Sequence, residues 1–194
     1  WNNLFLPFEP YIQGPAHANL KLQGQGAGLT KGIGLFDLKD TKIEFEPLGW
    51  TKDKNELASA GYSLQFGDEG IIHVNDIDFN SQNMSSQLEV TYDGDRASRL
   101  YIKKLQMPDN DFSGLFEWDR DNELYQVSVT GNQFNAVPIM DIVLGPSVEG
   151  EEADLPDFNL AGSVENVSMY NDIVMQRTTV LTGYIDNEVI DFGY

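Results

Sequence analysis

Val74-Asn75-Asp76-Ile77-Asp78-Phe79 reads apolar-x-x-apolar-x-apolar, and the pattern returns twice, as Ile102-Lys103-Lys104-Leu105-Gln106-Met107 and Val164-Glu165-Asn166-Val167-Ser168-Met169. The same kind of text follows each copy: a polar stretch, a short alternating strand and a charged turn. The strands are Leu88-Glu89-Val90-Thr91-Tyr92, Leu115-Phe116-Glu117-Trp118 and Val180-Leu181-Thr182-Gly183-Tyr184. The turns are Asp93-Gly94-Asp95, Asp119-Arg120-Asp121-Asn122 and Asp186-Asn187. A strand pair repeated in this way predicts a stacked, quasi-one-dimensional sheet, not an enzyme pocket. Such a sheet does its work along its length.

Outward from the repeats, the same period of two recurs. Ala16 to Gln23 alternates small or apolar residues with polar ones, as a half-buried strand does, and Gly24, Gly26 and Gly28 end it. Ile33 to Leu38 and Lys42 to Phe45 predict a strand or strand pair about a turn at Lys39-Asp40, closed by Pro47 and Gly49. Lys52 to Asn55 reads as a polar loop. Ala58, Ala60, Tyr62, Leu64 and Phe66 alternate up to the turn Gly67-Asp68-Glu69-Gly70, and Tyr125, Val127 and Val129 do so before Gly131. Phe134, Val137, Met140, Ile142, Val143 and Leu144 suit one or two helical turns instead, with Pro138 in the first turn and Gly145-Pro146 as the stop. The first fifteen residues read as an irregular lead-in.

The expected fold is mainly β: a long curved antiparallel meander of about ten to twelve strands, a trough or half-barrel-like repeat array with one short helix. Residues 1–145 form one β-repeat unit ending in the helix, 146–157 an acidic mobile linker, and 158–194 the start of a further, truncated β unit.

Composition limits what this sheet can do. Twelve Lys and Arg stand against 31 Asp and Glu, a net charge of -19. Phosphate binding along a nucleic acid needs a basic footprint, so nucleic acid is excluded as a partner, as is flat adsorption to an anionic leaflet. The acids instead keep a large β surface soluble and discourage edge-to-edge pairing. The chain has no cysteine, which removes disulfides, thiolate metal sites and thiol nucleophiles. Apolar residues make up 41%, enough for a core, while a mean hydropathy of -0.34 and the lack of any apolar run near the roughly 20 residues of a bilayer span exclude a membrane-embedded chain. A start at Trp1 without Met predicts a piece of a longer protein, with any anchor or targeting segment outside it.

No pattern carries catalysis. His17 and His73 fall at polar strand positions far apart in sequence, which suits solvated histidines better than a paired site. Asp76 with Asp78, Asp109 with Asp111, and Asp119 with Asp121 are Asp-x-Asp pairs, but none continues into the Gly and bidentate Glu of a calcium loop, so they read as solvated turn residues. Gly24-Gln25-Gly26-Ala27-Gly28 lacks the helix and Lys-Ser/Thr of a phosphate cradle, and no serine sits in a Gly-x-Ser-x-Gly elbow. Asn83-Met84-Ser85 and Asn166-Val167-Ser168 match the glycosylation sequon. The expectation is a non-enzyme with no catalytic residue, no cofactor and no metal. A hydrolase centred on the Asp pairs is the weakest alternative.

Three segments carry a resemblance. Pro7 with Gly14-Pro15 to Gly26 resembles an opening of Gly-Pro followed by Leu-x-Leu-x-Gly-x-Gly. Leu38 to Lys52 contains Pro47-Leu48-Gly49-Trp50 before Lys52, and Ala136 to Leu144 is a closing apolar helix. Together they resemble the AsmA-like family of YhdP- and TamB-like envelope proteins, and Leu160 to Val167 resembles the opening of that family's next unit. The chain departs from the family in its acidity, where many relatives carry more Arg. The resemblance implies a periplasmic segment of a large envelope protein, anchored in the inner membrane through a segment outside these residues. It also implies an apolar trough that carries phospholipid or other acyl-chain lipid between inner and outer membranes. Leu20, Leu22, Leu64, Phe66, Leu88, Val90, Tyr92, Phe116, Trp118, Val127 and Val129 are the expected lining; the aromatics among them, with Tyr62, equally suit ordinary core packing. The alternative is a structural or protein-interaction β module whose apolar face is sealed. A cut array of this kind is also expected to dimerise through exposed edges.

Overall fold

Residues that alternate apolar and polar bury one side only when the chain is extended, and most of this chain obeys. The structure, a computed structural model, describes residues 11–25, 28–94, 96–144, 156–185 and 188–191. In chain order the strands are β1 (Ile12–Gln13), β2 (His17–Gln25), β3 (Gly28–Asp37), β4 (Lys42–Phe45), β5 (Trp50–Lys52), β6 (Ala58–Phe66), β7 (Ile71–Ser81), β8 (Ser85–Asp93), β9 (Arg96–Met107), β10 (Asn110–Asp119) and β11 (Leu124–Asn135). Helix α1 (Val137–Leu144) follows, then β12 (Phe158–Ser168), β13 (Val174–Ile185) and β14 (Glu188–Asp191). Eleven of these strands form one open sheet in the order β14-β13-β12-β11-β10-β9-β8-β7-β6-β3-β2, and β1, β4 and β5 form a second, small one. The mainly β fold and its single short helix stand, with fourteen described strands where ten to twelve were expected.

The recurring six-residue pattern is the signature of a β-bulge. Val74 pairs with Val90 and Ile77 with Leu88, so β7 carries three steps against two on β8. In a regular strand Val74 and Ile77 would face opposite sides; the extra residue restores them to one side, with Phe79 two residues on. The second copy does the same: Ile102 lies opposite Gly114 and Leu105 opposite Phe112, again three steps against two. In β11 the extra residue falls at Asn132, since Phe112 pairs with Gly131 and Asp111 with Gln133. The third copy then runs in step with its neighbours, Val164 to Val167 beside Gly131 to Phe134 and Thr178 to Met175. The bulges therefore form a line across the sheet. Asp76 (φ 49°) and Arg177 (φ 52°) sit on it in left-handed backbone, at a cost of about 1–2 kcal/mol each.

One expectation about the line changes. Asp76 and Asp78 are inside β7 and not in a turn, because the bulge turns both toward solvent. Polar side chains bridge neighbouring strands along it: the Ser63 hydroxyl donates to Asp76 Oδ2 at 3.3 Å, Lys103 Nζ lies 2.6 Å from Glu89, and Arg177 Nε lies 3.6 Å from Glu165.

The small sheet is a cap on one margin of the long one. β4 pairs with β1 and β5, not with β3, so the predicted strand pair about Lys39-Asp40 divides between two sheets. Trp50 is buried, packs edge-on against Phe79 with ring centroids 5.6 Å apart, and donates its indole N–H to Asn83 Oδ1 at 3.0 Å. Leu48 packs with Ile102, Leu105 and Phe112. Gly49 turns the chain between them at φ 61°, and a Cβ there would lie 2.9 Å from Cγ of Pro138, so the turn and the first turn of α1 touch. Lys52 is no loop residue: it closes β5 with 0% exposure, and its ammonium donates to the carbonyls of Thr41 (2.7 Å), Asp53 (2.9 Å) and Lys39 (3.4 Å). The Leu-Gly-Trp-x-Lys text is thus the cap's structural core.

One strand pair breaks the meander. β11 and β12 run parallel, Tyr125 beside Phe158 through Asn135 beside Ser168, so the sheet is mixed. Parallel neighbours need a long crossover, usually with a helix, and the chain from 136 to 157 supplies α1. Asn135 starts that helix by accepting the Val137 N–H at 3.1 Å, and Pro138 occupies the first turn as expected. The acidic linker expected at 146–157 lies outside the described residues up to 155. The hydrogen-bonded sheet continues across the boundary drawn there.

Candidate functional site

Register carried across ten strands places one row of side chains on a single face: Leu22, Gly32, Leu64, Val74, Val90, Leu100, Phe116, Val127, Leu160 and Thr182. The adjacent row, one residue along each strand and so on the other face, reads Gln23, Lys31, Gln65, His73, Thr91, Arg99, Glu117, Gln126 and Asn159. The first is apolar but for its last member and one glycine; the second is wholly polar. These two rows make the sheet two-faced from β2 to β12, with Ile33 and Leu35 as exposed apolar residues on the polar side; at β13 the rows reach Thr182 and Gly183 and the contrast ends.

Three further rows lie on the apolar face. Leu20, Tyr62, Ile77, Leu88, Ile102, Val129 and Val180 follow the bulge line. Beyond it, Phe36, Ala60, Phe79, Leu105 and Phe112 lie under or beside the cap, and Val164 continues their row past Gly131. On the opposite margin Phe66, Ile72, Tyr92, Trp118, Tyr125, Phe158 and Tyr184 form an aromatic-rich row, with Trp118 edge-on to Tyr125 at 5.0 Å and Phe158 stacked on Tyr184 at 5.6 Å.

All eleven residues named from the sequence fall on this face: Leu20, Leu22, Leu64, Phe66, Leu88, Val90, Tyr92, Phe116, Trp118, Val127 and Val129. Their exposure grades across the sheet. Tyr92 (5%) and Val127 (8%) are buried, most of the others are half-buried, and Leu20 (46%) and Leu22 (48%) are open near the β2 edge. Sequence reading missed Val74, Leu100, Tyr125, Phe158, Leu160 and Tyr184 on the same face. Leu100, Tyr125 and Leu160 share the parity of Ile102, Val127 and Val164 in their own strands, and that parity is the signal that recovers them.

Burial raises the pKa of Tyr92, of Tyr125 and of Tyr62 above the ordinary phenol value, since the phenolate would lose water. The Tyr125 hydroxyl donates to Ala97 O at 2.9 Å. The polar face is different in kind. His73 Nδ1 lies 3.2 Å from Thr91 Oγ1, Arg99 Nε lies 3.2 Å from Glu117, and these side chains with Asn75 and Glu89 line a shallow depression of 680 Å³. His17 stands exposed at the start of β2, far along the sheet from His73. Asp119 accepts from the side chain and backbone N–H of Asn122, which holds its carboxyl below the usual range, as a turn residue does. Among the described residues no cluster of His, Asp and Glu could hold a metal ion, and no helix is long and apolar enough to cross a membrane.

No protein-family profile, curated protein or solved structure matches the chain. The geometry of the face therefore carries the functional reading.

Proposed function

We propose that the apolar face is a track for acyl chains, and that the chain is a segment of an AsmA-like, periplasmic envelope protein that moves phospholipid between membranes. The observation that supports this reading is the continuity of the rows. Ten steps of about 4.8 Å between the eleven strands give a face about 48 Å long, apolar across most of its width. Each methylene removed from water there contributes about 0.8 kcal/mol, and no specific polar contact is needed, which accords with the absence of a catalytic pattern in the sequence. An acyl chain lying along the rows crosses strand after strand while its head group stays at a margin in water.

A second reading, a structural or interaction β module, draws on the cap. β4, β5 and Leu48 seal the Phe79–Phe112 margin, and half-burial elsewhere comes from the sheet's own side chains. Acyl chains brominated near the terminal methyl separate the two. On the track reading they quench the fluorescence of Trp118 in a Trp1→Phe, Trp50→Phe background, saturably. A sealed module leaves Trp118 unquenched.

A further inference from the structure

The chain has four arginines, and three of them are spent on carboxylates: Arg99 on Glu117, Arg120 on Asp93 and Arg177 on Glu165. Arg96 is different. It has no ion pair among the described residues, and its guanidinium carbon lies 3.7 Å from the centroid of the Trp118 ring. In a protein of net charge -19 an unpaired arginine is a choice of position that solubility does not explain.

Arg96 pairs with Asp93, one step beyond the Tyr92 row, at the uncapped end of these strands, and its guanidinium lies over the ring of Trp118. Trp118 packs against Tyr125, Tyr125 reaches back to Ala97 O, and Tyr92 is buried beside them. A guanidinium stacked on a ring gives up its π face and keeps the N–H groups at its edge for an acceptor. Two acids at the ends of the same strands are already engaged. Asp93 is bound by Arg120, and Asp119 accepts from the N–H groups of Asp121 and Asn122 and the amides of Asn122 and Gln126.

We propose that Arg96, laid on Trp118 beside Tyr125 and Tyr92, binds the phosphate of a lipid head group whose acyl chains lie on the apolar face. The inference rests on the acyl-track reading and adds to it the residue that holds the head group. A phosphate monoester or diester fits because its oxygens take two N–H donors from one guanidinium edge. A free phosphate ion offers the same oxygens, but the chain's acidic field repels it and a single arginine does not hold it; buried methylenes supply what the ion lacks.

The test uses the whole chain with three probes: dioctanoyl phosphatidylglycerol, dioctanoylglycerol with the same acyl chains and no phosphate, and inorganic phosphate. Affinities come from isothermal titration. The wild type is expected to bind the phosphate-bearing lipid roughly tenfold more tightly than the neutral one, the scale of one charge-assisted hydrogen-bonded contact. Arg96→Gln is expected to erase that preference while dioctanoylglycerol binding is unchanged, and Arg96→Lys, which keeps the charge but not the fork, to retain part of it. Equal affinity for the two lipids in the wild type, or a preference that survives in Arg96→Gln, overturns the head-group assignment and leaves the acyl track standing. Failure of both lipids to bind overturns the track and the head-group site together. Saturable inorganic phosphate binding that Arg96→Gln abolishes, without a lipid preference, assigns the site to a free ion and overturns the lipid assignment.

Discussion

Deleting Asp76 tests whether the six-residue pattern is a bulge. The extra residue is what keeps Val74, Ile77 and Phe79 on one face. Without it, everything C-terminal in β7 rotates to the other side, or the strand slips against β6 and β8. Ile77 and Phe79 then leave the apolar face and Asp78 enters it. Both apolar side chains are half-buried, so each loses about half of the 1.5–3 kcal/mol of full burial, roughly 1.5–3 kcal/mol together. Placing the Asp78 carboxyl against Trp50 and its neighbours adds about 2 kcal/mol or more. The sum, about 3.5–5 kcal/mol, is a large part of a domain's usual 5–15 kcal/mol. Asp76→Gly is the control: it keeps the count, relieves the left-handed φ and loses the Ser63 contact, so it is expected to lie within about 1 kcal/mol of the parent. Urea unfolding followed by tryptophan fluorescence measures both. A deletion variant with the parent's midpoint and slope refutes the bulge reading. So does an Asp76→Gly variant as damaged as the deletion, because the side chain and not the residue count would then be at work.

Trp50→Ala is expected to cost about 3–5 kcal/mol, as large aromatic truncations in a packed core do, and to loosen the cap, seen as a lowered thermal midpoint with loss of near-ultraviolet dichroism. Buried Tyr92 and half-buried Tyr62 and Tyr125 give an alkaline limit. Their folded pKa values are raised, so the folded state holds its phenolic protons longer than the unfolded chain; this stabilisation is full below about pH 10 and lost as pH rises through the folded values. A spectrophotometric titration should find a late-titrating phenol fraction that shrinks in Tyr92→Phe. Leu20, Leu22, Ile33 and Leu35 stand exposed at the β2–β3 edge, and Val189 and Ile190 at the other. Concentration-dependent self-association is expected in sedimentation runs, and Leu22→Lys should reduce it.

The period of two was legible wherever strand text was regular. β6 was bounded to the residue, and β2 and α1 to within a few. The bulge was visible as a repeat but not as a bulge, because a single extra residue shifts parity without altering composition; only the pairing partners Val90 and Leu88 reveal it. The cap was half legible: Pro47 and Gly49 were readable as the close of a strand unit, while Lys52 looked like loop text because lysine beside Asp53 is normally solvated. Its burial is possible only because three backbone carbonyls converge on it. The parallel step between β11 and β12 was not legible at all. Hairpin and crossover connections differ in what lies across from a strand, not in the strand's own pattern.

The central claim, that the two-faced sheet is an acyl track, is tested most directly by native mass spectrometry with lipid extraction on the chain purified from a bacterial host. Three variants are measured beside the wild type: Val90→Asp and Phe116→Asp on the apolar face, and Gln87→Asp on the polar face. All are first checked for a cooperative unfolding transition. Phospholipid that co-purifies with the wild type and with Gln87→Asp, and is lost from folded Val90→Asp and Phe116→Asp, is the predicted result. A lipid-free wild type that also takes up no added fatty acid, or lipid retained equally by every variant, contradicts it.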